Sequence, residues 1–137
     1  MTEHTRQLFR LTVLPAFAVI LTTTIVSADP AGVIVSDGDR FAAQTGESLY
    51  GSVCAACHMD QGQGAVGAGH YPALADNENL EARGYLVYAM VHGLKNMPAV
   101  GEMMSDEQVA AVANYVRTSF GNDYEDKVTA EEVAGAR

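Results

Sequence analysis

Residues Cys54-Ala55-Ala56-Cys57-His58 place two thiols three positions apart, with an imidazole directly after the second. In an exported chain that pattern marks covalent attachment of a c-type haem. Each sulfur can add across one vinyl group of a porphyrin, and the adjacent histidine then stands at the iron as an axial ligand. Three other chemistries use a close cysteine pair. A thioredoxin-like redox pair wants a preceding strand in a βαβ unit, whereas Phe41 to Val53 reads as a helix. Structural zinc wants four ligands, and the chain has only these two cysteines, with His4, His70 and His92 scattered elsewhere. A disulfide closing so short a loop is strained. Haem attachment is the reading the surroundings favour.

Export is legible at the N-terminus. Arg6 and Arg10 precede an apolar run from Leu11 to Val26, and Val26-Ser27-Ala28 offers small residues for cleavage before Asp29-Pro30. We expect residues 1–28 to be a signal peptide and the protein to be periplasmic. The run contains Thr12, Thr22, Thr23 and Thr24 and is short for a membrane span of roughly 20 residues; the alternative is an uncleaved anchor. With the leader removed we expect no membrane span, because no other apolar run approaches that length. The formal net charge of −9 becomes more negative when Arg6 and Arg10 leave with the leader. That balance argues against nucleic acid or an anionic membrane surface as partner. It suits solubility as well as steering toward a basic docking patch.

The rest of the chain divides simply. Residues 29–40 read as an extended arm, 41–121 as one domain and 122–137 as an acidic C-terminal tail. Ala42, Gly46, Leu49, Tyr50 and Val53 share one helical face leading into the cysteines. Met59 to His70 carries Gly62, Gly64, Gly67 and Gly69 without helical or strand period, and reads as a loop at a haem edge. Asp76 or Asn77 can cap a helix from about Glu78 to His92, stopped by Gly93; its apolar residues go nearly all round, as in a helix buried on several sides. Ser105-Asp106-Glu107-Gln108 is a capping box opening a helix with Val109, Val112, Ala113, Val116 and Phe120 on one face and Gly121 at its end. The tail has little apolar surface; we expect it to be mobile, with a docking segment for a partner as the alternative.

His58 leaves the sixth iron position open to Met59, Met90, Met97, Met103, Met104, His70 or His92. Met59 adjoins the proximal ligand and cannot reach the opposite face. Met90 lies within a helix, and Met103 and Met104 just precede one. Met97 sits in Lys95-Asn96-Met97-Pro98-Ala99, an irregular stretch where proline stiffens the backbone and a thioether can be presented to iron. It is the best candidate.

Cys54-Ala55-Ala56-Cys57-His58, Tyr71-Pro72-Ala73-Leu74, Met97-Pro98-Ala99-Val100-Gly101, Ser105-Asp106-Glu107-Gln108 and Tyr115-Val116-Arg117 follow in that order. In order and spacing the set resembles the class I monohaem cytochromes c, over about Ala42 to Phe120. The resemblance implies an all-α fold, three main helices wrapped around one covalently attached haem c. It implies thioether bonds to Cys54 and Cys57, iron between His58 and Met97, and a Pro72 carbonyl that accepts a hydrogen bond from His58. It also implies a crossing of the first and last helices at Gly46 and Tyr50 against Tyr115. Two positions depart from the family pattern: Met59 stands where glycine is frequent, and Val100 where phenylalanine is frequent.

Val116-Arg117-Thr118-Ser119-Phe120-Gly121-Asn122 is similar to the small cytochrome subunits of periplasmic dehydrogenases. That likeness implies a dehydrogenase as electron donor, with a terminal oxidase or another cytochrome as acceptor in the respiratory chain. Iron with two protein ligands has no open site for substrate, so the expected function is single-electron transfer, not catalysis. The alternative is a haem protein with a labile sixth site, binding a small ligand or acting as a redox enzyme, for which His70, His92 and Arg83 are the candidate distal groups. A purely structural haem subunit is a third reading.

Overall fold

The computed structural model describes residues 40–67 and 69–137. The expected signal peptide 1–28 and nearly all of the arm 29–40 lie outside the described residues. The regular elements of the described chain are helices apart from one short hairpin.

The helix that leads to the cysteines begins at Gly46, not near Ala42. Thr45 takes the N-cap, its hydroxyl accepting from the Ser48 amide at 3.2 Å, which satisfies one of the free first-turn donors. From there α1 (Gly46–Leu49) continues through a π-helical turn (Tyr50–Cys54) into α2 (Ala55–His58). The Ala55 amide closes the π turn on the Tyr50 carbonyl. Such an insertion rotates everything beyond it by about 100° relative to an unbroken helix. Leu49 is buried before the turn, Tyr50 at its first position, and Ala55 and His58 after it.

The capping box forms as expected. Ser105 Oγ accepts from the Gln108 amide at 3.2 Å and Gln108 Oε1 accepts from the Ser105 amide at 2.9 Å. The helix it opens, here α4, spans Asp106–Arg117 and buries Val109, Val112, Ala113 and Val116. It ends earlier than Phe120. With φ of 59°, Phe120 has left the helix, and its ring lies 4.7 Å from that of Tyr50. At the crossing with α1, a Cβ on Gly46 would stand 2.6 Å from Tyr115 Cβ and 2.9 Å from the Ala111 carbonyl carbon. Only glycine allows so close an approach, and the Tyr50 and Tyr115 rings pack beside it at 5.7 Å.

Between these helices lie β1 (Ala65–Val66) and β2 (His70–Tyr71), antiparallel, with Ala65 opposite Tyr71. Two residues per strand are too few to carry a sequence period, which is why the stretch reads as plain loop. A 3-10 turn (Glu78–Glu81), capped by the Asn77 side chain, precedes α3 (Arg83–His92). One broad face of α3 is buried through Leu86, Val87, Ala89, Met90 and Val91, while Tyr85 and Tyr88 stay about half exposed. Burial on several sides was the expectation, and the two tyrosines depart from it.

Residues 122–137 do not form the expected mobile tail. Val128 and Val133 sink into the core cluster, and α5 (Ala130–Ala136) is capped by a Thr129–Glu132 box. Asn114 binds both backbone groups of Val128, donating to its carbonyl at 2.9 Å and accepting from its amide at 2.8 Å. Two valines suffice because α4 supplies the polar partners that the segment's backbone needs.

Candidate haem site

Cys54 closes the π turn, and Cys57 and His58 follow within α2. Both thiols are free and partly buried. Burial, reinforced by Cys57 close by, pushes the Cys54 thiol up to about 12. A thioether carries no charge to desolvate, so the same surroundings suit that form of the sulfur well. His58 is 8% exposed, and its Nδ1 lies 2.9 Å from the Pro72 carbonyl oxygen. A carbonyl only accepts, so Nδ1 carries the proton and Nε2 keeps a lone pair for a metal.

Backbone bonds at Gly62 and Gly64, and the close approach that Gly64 allows, fold the loop around Pro72. The Gly64 amide donates to the His58 carbonyl at 3.0 Å. Gly64 has φ of 66°, and a Cβ there would stand 2.8 Å from the Pro72 carbonyl carbon. The Gly62 carbonyl accepts from the Leu74 and Ala75 amides at 2.6 and 2.9 Å. Buried Asn122 then ties the loop to α4, donating to Leu74 and Val116 carbonyls at 2.8 and 2.9 Å and accepting from the Asn77 amide at 3.0 Å. The glycine-rich loop is therefore a brace for the histidine's partner.

Met97 is carried on a separate loop. Leu94 and Met97 exchange backbone bonds of 3.0 and 2.9 Å, and Gly93, with φ of 74°, makes room, since a Cβ would stand 2.7 Å from the Met97 carbonyl oxygen. Met97 packs against the core cluster, as Cys54 does. Met90 and Met104 are buried and Met103 is exposed. His70 and His92 are exposed, with His92 Nε2 2.7 Å from the Ala136 carbonyl, and Arg83 is paired with Asp126 and Glu132. Cys54, Cys57, His58 and Pro72 thus come together, while among the described residues no hydrogen bond joins the methionine loop to His58.

One structural residue escaped the sequence reading. Arg117 is 0% exposed, donating to the Leu80 carbonyl at 2.8 Å, the Glu81 carbonyl at 3.2 Å, the Asp126 carbonyl, and Asp126 Oδ1 at 2.5 Å, with its guanidinium 5.5 Å from the Tyr124 ring. Arg117 stands in stretches that carry the family likeness, but its place at the last turn of α4 reads equally well as a cation at a helix C-terminus.

The family model for "Cytochrome C oxidase, cbb3-type, subunit III" matches residues 41–116. This chain belongs to the cytochrome c family. A cytochrome c-552 of Thermus thermophilus is 34% identical over 73% of this chain and 79% of its own. The gluconate 2-dehydrogenase cytochrome c subunit of Pantoea cypripedii is 35% identical over 69% of this chain and 24% of its own, and the fructose dehydrogenase cytochrome subunit of Gluconobacter japonicus 34% identical over 56% and 19%. The chain therefore spans about a quarter or less of those dehydrogenase subunits. The cytochrome carries one covalently bound haem c, for which Cys54 and Cys57 are the thiol pair. Membership of that family makes it an electron carrier.

Proposed function

We propose that this cytochrome is a periplasmic single-electron carrier with iron held between His58 and Met97, taking electrons from a dehydrogenase and passing them toward the respiratory chain. The observation that carries the reading is the 2.9 Å approach of His58 Nδ1 to the Pro72 carbonyl, which leaves Nε2 as a donor of fixed tautomer and orientation. The bound haem supplies a one-electron ferrous and ferric couple. Cys54 and Cys57 hold it, His58 binds one axial position, and the soft thioether of Met97 at the other favours the ferrous state and raises the potential. The donor class rests on relatives named as cytochrome subunits of gluconate, fructose and alcohol dehydrogenases; a terminal oxidase or another cytochrome is the acceptor. The acidic balance suits docking to a basic patch. Among the described residues no helix is long and apolar enough to cross a membrane, and export is assigned to residues 1–28. The test is the visible spectrum of the reduced protein with and without carbon monoxide. An unchanged low-spin spectrum is expected for the native chain and a carbon monoxide adduct for Met97→Ala. Ready adduct formation in the native chain, or none in the variant, removes Met97 from the iron.

A further inference from the structure

The loop that carries Met97 enters from His92 and leaves through Gly101, and two consecutive residues of the last segment hold both ends. On the entry side, the His92 ring meets the Ala136 carbonyl, Nε2 to oxygen 2.7 Å. On the exit side, Arg137 spreads its guanidinium over three oxygens. Nη1 donates to the Gly101 carbonyl at 3.1 Å, Nη2 to the Met104 carbonyl at 2.9 Å, and Nε to Asp106 Oδ1 at 2.6 Å. The planar fork makes these bonds directional, so the carbonyls are held in position as well as attracted.

A staple works only if its own base is fixed, and α5 has such a base. Val133 is fully buried, Asn114 grips Val128 through both backbone groups, and Arg83 pairs with Glu132 at 2.8 Å and with Asp126 at 2.9 Å. Arg117 holds the other Asp126 oxygen from inside the core. Beneath the loop, Gly101 lies directly on α3, where a Cβ would stand 3.0 Å from the Met90 carbonyl oxygen. The 3-10 turn Val100–Met103 is thereby clasped between α3 and Arg137.

We propose that α5 is a staple across the base of the methionine loop and that Arg137 is a positioning residue for the sixth ligand. This rests on the reading of Met97 as that ligand. A thioether is a weak neutral donor, so how long it stays on iron depends on how little freedom its loop regains when it leaves. Tying both ends to one anchored helix removes most of that freedom and holds the sixth position closed to small molecules.

The experiment compares haem-loaded native protein, R137A, R137K and M97A by the rate at which the ferrous form takes up carbon monoxide, and by the ferric charge-transfer band that marks thioether ligation. For R137A the rate is expected to rise about tenfold, as loss of a charge-assisted bond implies, with a weakened band. R137K, which keeps the charge but lacks the fork, is expected in between. G46A at the α1–α4 crossing controls for general destabilisation, and is expected to lower the melting temperature with the rate within about twofold of native. An R137A rate equal to native, with M97A opened, overturns the staple and leaves the Met97 reading standing. If M97A itself behaves as native, the Met97 reading falls and the staple with it. If R137A does not load haem, R137K decides on the same scale, a native rate overturning the proposal.

Discussion

His58 Nδ1 and the Pro72 carbonyl oxygen stand 2.9 Å apart across fourteen residues of chain. That bond joins a helix to an irregular loop, and Gly64 is what lets the loop come close enough. Replacing Gly64 by alanine meets two obstacles: φ of 66°, and a Cβ 2.7 Å from the Ala73 nitrogen. Left-handed backbone alone costs an alanine about 1 kcal/mol or more. With Pro72 displaced, the imidazole loses an acceptor and becomes a poorer donor to ferric iron. Gly64→Ala is expected to lower the melting temperature and raise the reduction potential. A potential unchanged in voltammetry would count against this role for Pro72.

Met59 has φ of 66° and ψ of 162°, a region open almost only to glycine, where other residues carry roughly 1–3 kcal/mol of strain. Its carbonyl is fixed there by the Tyr50 hydroxyl at 2.7 Å. Glycine relieves the strain and loses about 0.5–1 kcal/mol through the greater freedom of its unfolded chain. Met59→Gly is therefore expected to stabilise the protein by about 1 kcal/mol, seen as a rise of about 4–8 °C in melting temperature. A fall would show that the methionine side chain contributes more than its backbone costs.

Removing the Arg117 side chain leaves the Leu80, Glu81 and Asp126 carbonyls without this donor. Each unsatisfied buried group costs about 1–3 kcal/mol, and Asp126 is exposed enough to find water. Arg117→Leu is expected to lose about 3 kcal/mol in urea unfolding of the haem-loaded protein. A loss under about 1 kcal/mol would mean that water replaces the arginine at all three carbonyls.

The Asp126 carboxyl is held below its usual range, first by the hydrogen bond from Arg117 and then by that from Arg83. A depressed folded value means that the native state binds fewer protons than the unfolded one, so the stabilisation is present above about pH 3.9 and is lost as pH falls below it. Melting temperature should therefore drop on the acid side of that value in the native chain, and less steeply in Asp126→Asn. Parallel curves for the two proteins would remove Asp126 from the acid response.

The haem-binding pentapeptide, the capping box at Ser105 and the helix stop at Gly93 were legible because each is written within a few adjacent residues, where spacing alone fixes which groups can meet. The pairing of Gly46 with Tyr115 and the His58–Pro72 bond were foreseeable only through likeness to a family, since no local rule pairs residues so distant in the chain. The two-residue strands were hidden because a period needs more residues than they have.

Residues 122–137 mark the boundary most clearly. By composition they are acidic and poor in apolar surface, and local reasoning leaves such a segment loose. Their order comes from partners far away in sequence: Asn114 for the backbone of Val128, Arg117 and Arg83 for Asp126, and Gly101, Met104 and Asp106 for Arg137. Sequence alone thus determined the covalent chemistry and the helical frame, because both follow from short-range pattern. Only tertiary structure decided that Arg117 is buried, that Met59 is strained and that the last helix clasps the methionine loop, because each depends on which distant groups the fold brings within hydrogen-bond reach.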